Sequence, residues 1–162
     1  YINSNFFHKK TAIIRPFNVY GPGMALDDFR IIPNITRSLI LNEQLKIYDT
    51  GNQTRTYCYV SDAICGFFKT ILKDELFGVY NIGNDDGEIS VINLVKITEE
   101  VMNVKLNYIT SSYPKEYPPD EPRRRCPDIN KAKKNLDFYP KISLKEGLHN
   151  HFSWAKKFLK ID

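Results

Sequence analysis

Three short stretches hold polar side chains in positions where they could do chemistry. The first is "RPFNVYGPGM", residues 15–24, which the apolar run "TAII" leads into. Asn18 stands where that run ends, just ahead of a Gly-Pro-Gly corner. A carboxamide can donate and accept at once, which suits a sugar hydroxyl or a phosphate oxygen. It serves equally well to satisfy loose backbone groups in a turn. The second stretch is "TGNQTRTYCYVSD", in which Gly51 and Asn52 make a turn and Gln53 and Arg55 follow it. An arginine entering a strand can fork onto a phosphate with two bonds, or pair with a surface carboxylate. The third is "PDEPRRRCPD", three arginines in a proline-stiffened loop. Such a loop can concentrate positive potential on an anion, or be a solvated charge run offset by Asp120, Glu121 and Asp128.

The elements that must position these residues alternate between strand and helix. "TAIIRPFNVYG" is apolar enough for a parallel strand buried on both faces. "DDFRIIPNITRSLILNE" predicts a helix with Pro33 in its first turn. "LKIYDTG" and "RTYCYV" predict strands. "SDAICGFFKTILKDELFG" predicts an amphipathic helix capped by Ser61 or Asp62, with Ile64, Phe67, Phe68, Ile71 and Leu72 as its buried stripe. "VYNIGN" reads as a strand. "SVINLVKITEEVM" reads as a helix burying Val91, Leu94, Val95, Val101 and Met102. "KLNYIT" is a strand, "SSYPKEYPPDEPRRRCP" a proline-rich loop, and "DINKAKKNL" a short helix capped by Asp128. In the last helix Ser143 and Glu146 form a capping box, with Leu144, Leu148, Phe152, Ala155 and Leu159 inward. This alternation is the mark of an α/β protein. Too few strands look buried to complete a parallel sheet, so the fold reads as part of something larger.

Composition narrows the function classes. The chain has 162 residues, 42% hydrophobic and 26% charged, with a net charge of +4. That suits a globular domain with a real core. No apolar run approaches the ~18–20 residues of a membrane span, so no membrane partner is expected. The basic excess is mild, with no aromatic-interleaved basic stripe, so no nucleic-acid partner is expected either. Cys58, Cys65 and Cys126 are odd in number and lack C-x-x-C spacing, which points to a reducing, cytoplasmic setting and to cysteines as core filler. His149 and His151 sit two apart and would face different sides of a helix, so no metal site is expected. The sequence contains no G-x-G-x-x-G, no Tyr-x-x-x-Lys and no nucleophile elbow, so no catalytic residue is assigned.

Taken in order, "RPFNVYGPG", "IIPNITRSLILNEQLKIYDTGNQTRTYCYVSDA", "VYNIGN" and "RRRCPDINKAKKNLDFYP" resemble the C-terminal part of NAD-dependent epimerases/dehydratases. These are extended short-chain dehydrogenases/reductases acting on nucleotide sugars. The likeness runs from about Thr11 to the last helix. It is strongest to UDP-glucuronate decarboxylases, UDP-sugar 4-epimerases and dTDP-glucose 4,6-dehydratases. It implies the last parallel strands of a Rossmann-type sheet plus a small substrate lobe. Residues 11–22 would be a late Rossmann strand and its corner. Residues 23–56 would enter the substrate lobe, 57–103 return to the Rossmann layer, and 104–162 form more of the lobe and the C-terminal helices.

The same resemblance implies site roles. Arg15, Pro16, Phe17 and Val19 would border the nicotinamide end of NAD, and Asn18 would touch the sugar nucleotide. Ile31 and Ile32 would open the helix over the nucleotide. Ile47, Tyr48 and Gln53 would line the base and ribose pocket. Arg55 and Arg125 would hold the diphosphate of a UDP- or dTDP-sugar, with Arg124 the nearest rival to Arg125. Transient oxidation of the sugar by NAD, usually at C4, is the implied chemistry, in a full-length enzyme expected to be a homodimer. Family members carry the glycine-rich NAD loop and the Tyr-x-x-x-Lys pair upstream of the part matched here. The chain, which starts at Tyr1 without a Met, is therefore expected to be a fragment, inactive alone, with NAD bound mainly by the absent half. Decarboxylases of the family carry Arg after the Gly-Pro, where this chain has Gly23, which favours epimerase or dehydratase chemistry over decarboxylation. A non-catalytic nucleotide-sugar-binding module is the remaining alternative.

Overall fold

A computed structural model describes residues 11–73, 78–117 and 121–159. The opening "YINSNFF" lies outside the described residues. Strand β1 (Ala12–Pro16) pairs in parallel with β6 (Gly78–Ile82), Ala12 opposite Gly78. The chain then breaks at Asn18, whose φ is +44°, before β2 (Val19–Tyr20) pairs in parallel with β5 (Cys58–Tyr59). Helix α1 (Ile31–Leu41) carries Pro33 in its first turn as expected. Strand β3 (Leu45–Tyr48) pairs in parallel with β8 (Tyr108–Ser111).

The expected single strand "RTYCYV" is two pieces, β4 (Thr54–Arg55) and β5. β4 is the centre of a three-stranded sheet, antiparallel to β7 (Ile89–Ser90) and parallel to β9 (Arg124–Arg125). β9 lies in what the sequence reads as loop. Its two residues become a strand because β4 offers a paired edge, a long-range contact that no local pattern announces.

Helix α2 (Val60–Leu72) corrects two expectations. Ile64, Phe68, Ile71 and Leu72 are 44%, 57%, 72% and 77% exposed, while Asp62, Ala63, Gly66 and Thr70 face inward. The helix lies so close to β6 and Phe138 that only small side chains fit between them. The N-cap is Tyr59, with no side-chain bond from Ser61 or Asp62. The Asp62 carboxylate instead accepts the backbone N–H groups of Lys141 and Ile142, both at 2.9 Å, and so ties the C-terminal segment to α2. β1 also departs from expectation. Ile13 is 37% exposed, because in the described residues β1 has a neighbour on one edge only.

Helices α3 (Val91–Met102), α4 (Asn130–Leu136) and α5 (Leu144–Phe158) complete the fold. Ser90 caps α3 by accepting from Asn93 N, and Ser143 caps α5 by accepting from Glu146 N. Asp128 is one residue ahead of the α4 cap, yet its carboxylate accepts the Asn130 N–H at 2.8 Å. The core has two clusters. Tyr20, Ile35, Leu45, Ile47, Leu94, Leu148 and Phe152 are in the larger. Ala63, Tyr80, Ile82, Ile129, Leu136 and Phe138 are in the second. In these clusters α3 packs with α1 and α5, whereas α4 packs with α2 and β6.

His151 joins α5 to α1 inside the larger cluster. It is 1% exposed, with Nε2 2.9 Å from Thr36 Oγ1. Thr36 spends its hydroxyl proton on the Ile32 carbonyl at 2.7 Å, so the His151 Nε2 carries the hydrogen and donates. Burial holds the His151 pKa below the ordinary 6.5. The unfolded chain therefore binds the more protons below that value. The stability linked to His151 is complete above the unfolded pKa and is lost as pH falls toward the folded one. Going from about pH 7.5 to about pH 5.5 should cost His151→Gln less stability than the parent. Equal pH slopes in thermal melts of the two proteins would reject this.

Candidate functional site

One cleft opens where the ends of β2, β3, β4 and β9 meet the start of α1. Its polar end is set by strand register. Thr54 lies opposite Arg124 and Arg55 opposite Arg125 on paired strands. Side chains alternate along a strand, so opposed residues share a face. Arg55 and Arg125 both line the cleft. Thr54 and Arg124 turn to the other face, where both bond Glu88: Thr54 Oγ1 donates to Oε1 and Arg124 Nη2 to Oε2 at 2.7 Å. Arg124 is therefore not in the cleft wall, a choice the triple-arginine run left open.

Arg55 is only 6% exposed. Its Nη1 donates to the carbonyls of Thr54 and Arg123, at 2.7 and 3.1 Å. Its Nη2 donates to Glu121 Oε1, and Arg125 Nη2 lies 3.5 Å from Glu121 Oε2. One carboxylate thus bridges the two arginines. Asn18 lines the same end, but its Nδ2 donates to the carbonyls of Thr56 and Arg125, at 2.7 and 3.3 Å. The amide that sequence could assign either way is thus a clamp on two backbone carbonyls, and its oxygen has no hydrogen-bond partner among the described residues.

The cleft lining is also aromatic. Tyr48, Tyr113 and Tyr117 form a cluster with centroid separations of 4.5 to 5.9 Å, and Phe29 lies 6.5 Å from Tyr117. Burial raises the pKa values of Tyr113 and Tyr117. Gln53 Nε2 donates to the Tyr48 carbonyl at 2.9 Å, leaving its Oε1 buried and without a partner among the described residues. The Tyr57 hydroxyl, also in the cleft wall, is likewise buried and unpaired. Burial pushes its pKa far up, so it stays a proton donor in any ordinary buffer.

Of the other sequence candidates, Ile31 and Ile32 line the cleft from the first turn of α1. Ile47 does not: it is 0% exposed in the core, because alternation along β3 sends Leu45 and Ile47 inward and Lys46 and Tyr48 out. Val19 lines the cleft, while Arg15 and Pro16 are exposed at the end of β1. Sequence reasoning missed Phe29, Tyr57, Tyr113, Tyr117 and Glu121. A signal was present for two of them. Tyr113 and Tyr117 each precede a proline, and a turn closed by Tyr117 N donating to the Pro114 carbonyl brings their rings together at a 40° tilt.

Known proteins resemble this chain in sequence and in fold. The sequence pattern of the NAD dependent epimerase/dehydratase family matches residues 4–83. UDP-glucuronic acid decarboxylase 5 of Arabidopsis thaliana is 40% identical over 138 residues, covering 84% of this chain and 38% of that protein. The UDP-glucuronic acid 4-epimerase of Bacillus cereus, solved with UDP-glucuronic acid and NAD, superposes with a TM-score of 0.86 at 26% identity. The chain belongs to the NAD dependent epimerase/dehydratase family. The UDP-glucose 4-epimerase of Thermotoga maritima, solved with UDP-glucose, also superposes at 0.86, with 26% identity and 98% of this chain covered. The chain thus has the α/β fold of Rossmann-type extended short-chain dehydrogenases/reductases. It spans about half the length of these solved epimerases, 48% and 50%, and less of the curated relative. Among the described residues, no helix is long and apolar enough to cross a membrane, and no cluster of His, Cys, Asp or Glu could hold a metal.

Proposed function

We propose that this chain is the nucleotide-sugar-binding part of an NAD-dependent nucleotide-sugar epimerase or dehydratase. The observation that carries the reading is the register that sets Arg55 and Arg125 side by side, in one cleft with Tyr48, Tyr113 and Tyr117. Two guanidinium groups suit a diphosphate, and a cluster of aromatic rings suits a nucleobase. The unpaired Gln53 Oε1 can accept from a ribose or base donor, and the Tyr57 hydroxyl can donate to a ligand oxygen. Asn18 holds the sugar end, as a clamp and through its free oxygen.

The residues toward NAD fit a border rather than a whole site. Arg15, Pro16 and Phe17 sit at the C-terminal edge of a parallel strand, where ligands of α/β sheets bind. The corner is closely packed, since a Cβ on Gly83 would fall 2.8 Å from Phe17 Cβ. NAD, when bound, would take the hydride from the sugar. The residues of this chain would position that sugar through its diphosphate and base. The complete enzyme would act as a homodimer in the cytoplasm.

Isothermal titration with UDP tests the arginine assignment. Arg125→Ala should weaken binding by about 10- to 100-fold, the loss of one charge-assisted bond. Arg124→Ala should stay within about twofold, since its bond to Glu88 lies outside the cleft. The reverse order would overturn the assignment.

A second reading, decarboxylation, has the 40% identity to a UDP-glucuronic acid decarboxylase in its favour. Against it stands Gly23, at a φ of +86° where an L side chain is strained. Carbon dioxide release from UDP-glucuronic acid by the complete gene product would decide for it.

A further inference from the structure

We propose that Glu121 is an internal counter-anion, seated where the ligand's diphosphate binds and displaced by it. The inference rests on the nucleotide reading of the cleft and adds a determinant of affinity to it. Arg55 is buried, and its Nη1 is spent on two backbone carbonyls. Its Nη2 donates to Glu121 Oε1, and both residues line the cleft. The other carboxylate oxygen of Glu121 reaches toward Arg125 Nη2 at 3.5 Å. A single carboxylate therefore satisfies both cations that a diphosphate would need, from within the cleft wall.

A phosphate oxygen cannot take Arg55 Nη2 in two-bond geometry while Glu121 stays there. Two anions on one poorly solvated guanidinium would also repel each other. Binding is thus an exchange: phosphate replaces carboxylate on the arginines, and the freed Glu121 swings toward solvent. Glu121 is 15% exposed, so it has a route out, whereas Arg55 is locked by its carbonyl bonds. The arrangement keeps Arg55 from being a buried bare charge in the empty cleft. It does so at the expense of affinity for the ligand.

Glu121→Gln tests this, since the amide keeps the size and loses the charge. UDP titrated into the variant should bind about tenfold more tightly than into the parent, because the like charge is gone. The thermal midpoint of the unliganded variant should fall, because Arg55 loses its counter-ion. Equal or weaker UDP binding by a folded Glu121→Gln would overturn the proposal and leave the nucleotide reading standing. Glu121→Asp is the second variant. It keeps the charge but withdraws it by one methylene, and should bind UDP between the other two; affinity below the parent's would count against displacement. UDP bound by none of the three proteins would instead overturn the nucleotide reading itself.

Discussion

Arg55→Ala should abolish measurable UDP binding and also lower the unfolding free energy by about 3 kcal/mol, the low end for a broken buried ion pair. Both effects come from one side chain. Arg55 is 6% exposed and holds the carbonyls of Thr54 and Arg123 together with the Glu121 carboxylate. Alanine would leave two buried acceptors and a mostly buried carboxylate with fewer donors. Arg125, 3.5 Å from Glu121, limits the damage, which is why the low end of the range applies. Arg55→Lys should recover part of the stability and little of the binding, because an ammonium cannot serve carbonyls and phosphate with a planar fork. Urea unfolding and UDP titration on the same samples would check this. An unchanged urea midpoint for Arg55→Ala would refute the structural half, and unchanged UDP affinity the binding half.

Gly66→Leu should destabilise the chain by about 3 kcal/mol, with little direct effect on nucleotide contacts. A Cβ at Gly66 would already fall 2.7 Å from Ile82 Cγ2 and 3.0 Å from Phe138 Cε2. Ile82 and Phe138 are 0% and 1% exposed, so neither has room to retreat. Replacing a mid-helix glycine normally gains about 0.5–1 kcal/mol in helix propensity. Here overpacking outweighs that gain. A thermal midpoint equal to the parent's would show that α2 can lift off β6 freely, contrary to the packing described.

The contrast between Gly66 and the apolar side of α2 shows where periodicity stops being informative. Ile64, Phe68, Ile71 and Leu72 make a proper amphipathic stripe, yet in the described residues they face away from the core. Spacing identifies a helix and a stripe. It does not say which neighbour the stripe meets, and the side against β6 is chosen for smallness rather than apolarity. Asp62 shows the same limit. At a helix start it reads as a cap, but its carboxylate holds the backbone of Lys141 and Ile142, nearly eighty residues away in sequence.

The sequence by itself determined the α/β class, the helices, and some of the residues that line the cleft, among them Asn18, Tyr48, Gln53 and Arg55. Those signals are local: 3.6-residue periodicity, cap residues such as Ser90 and Ser143, and turn residues such as Gly51. Ordered short motifs were enough to point to the family. Only the tertiary structure decided which arginine of "RRR" faces the cleft. That depends on the register of β9 against β4, and a slip of one residue would exchange Arg124 for Arg125. It also decided that Tyr113, Tyr117 and Glu121 enter the site and that Ile47 leaves it for the core. Long-range pairing and side-chain alternation set those outcomes, because a residue's role in a cleft depends on the strand it is paired with as well as on its own neighbours in the chain.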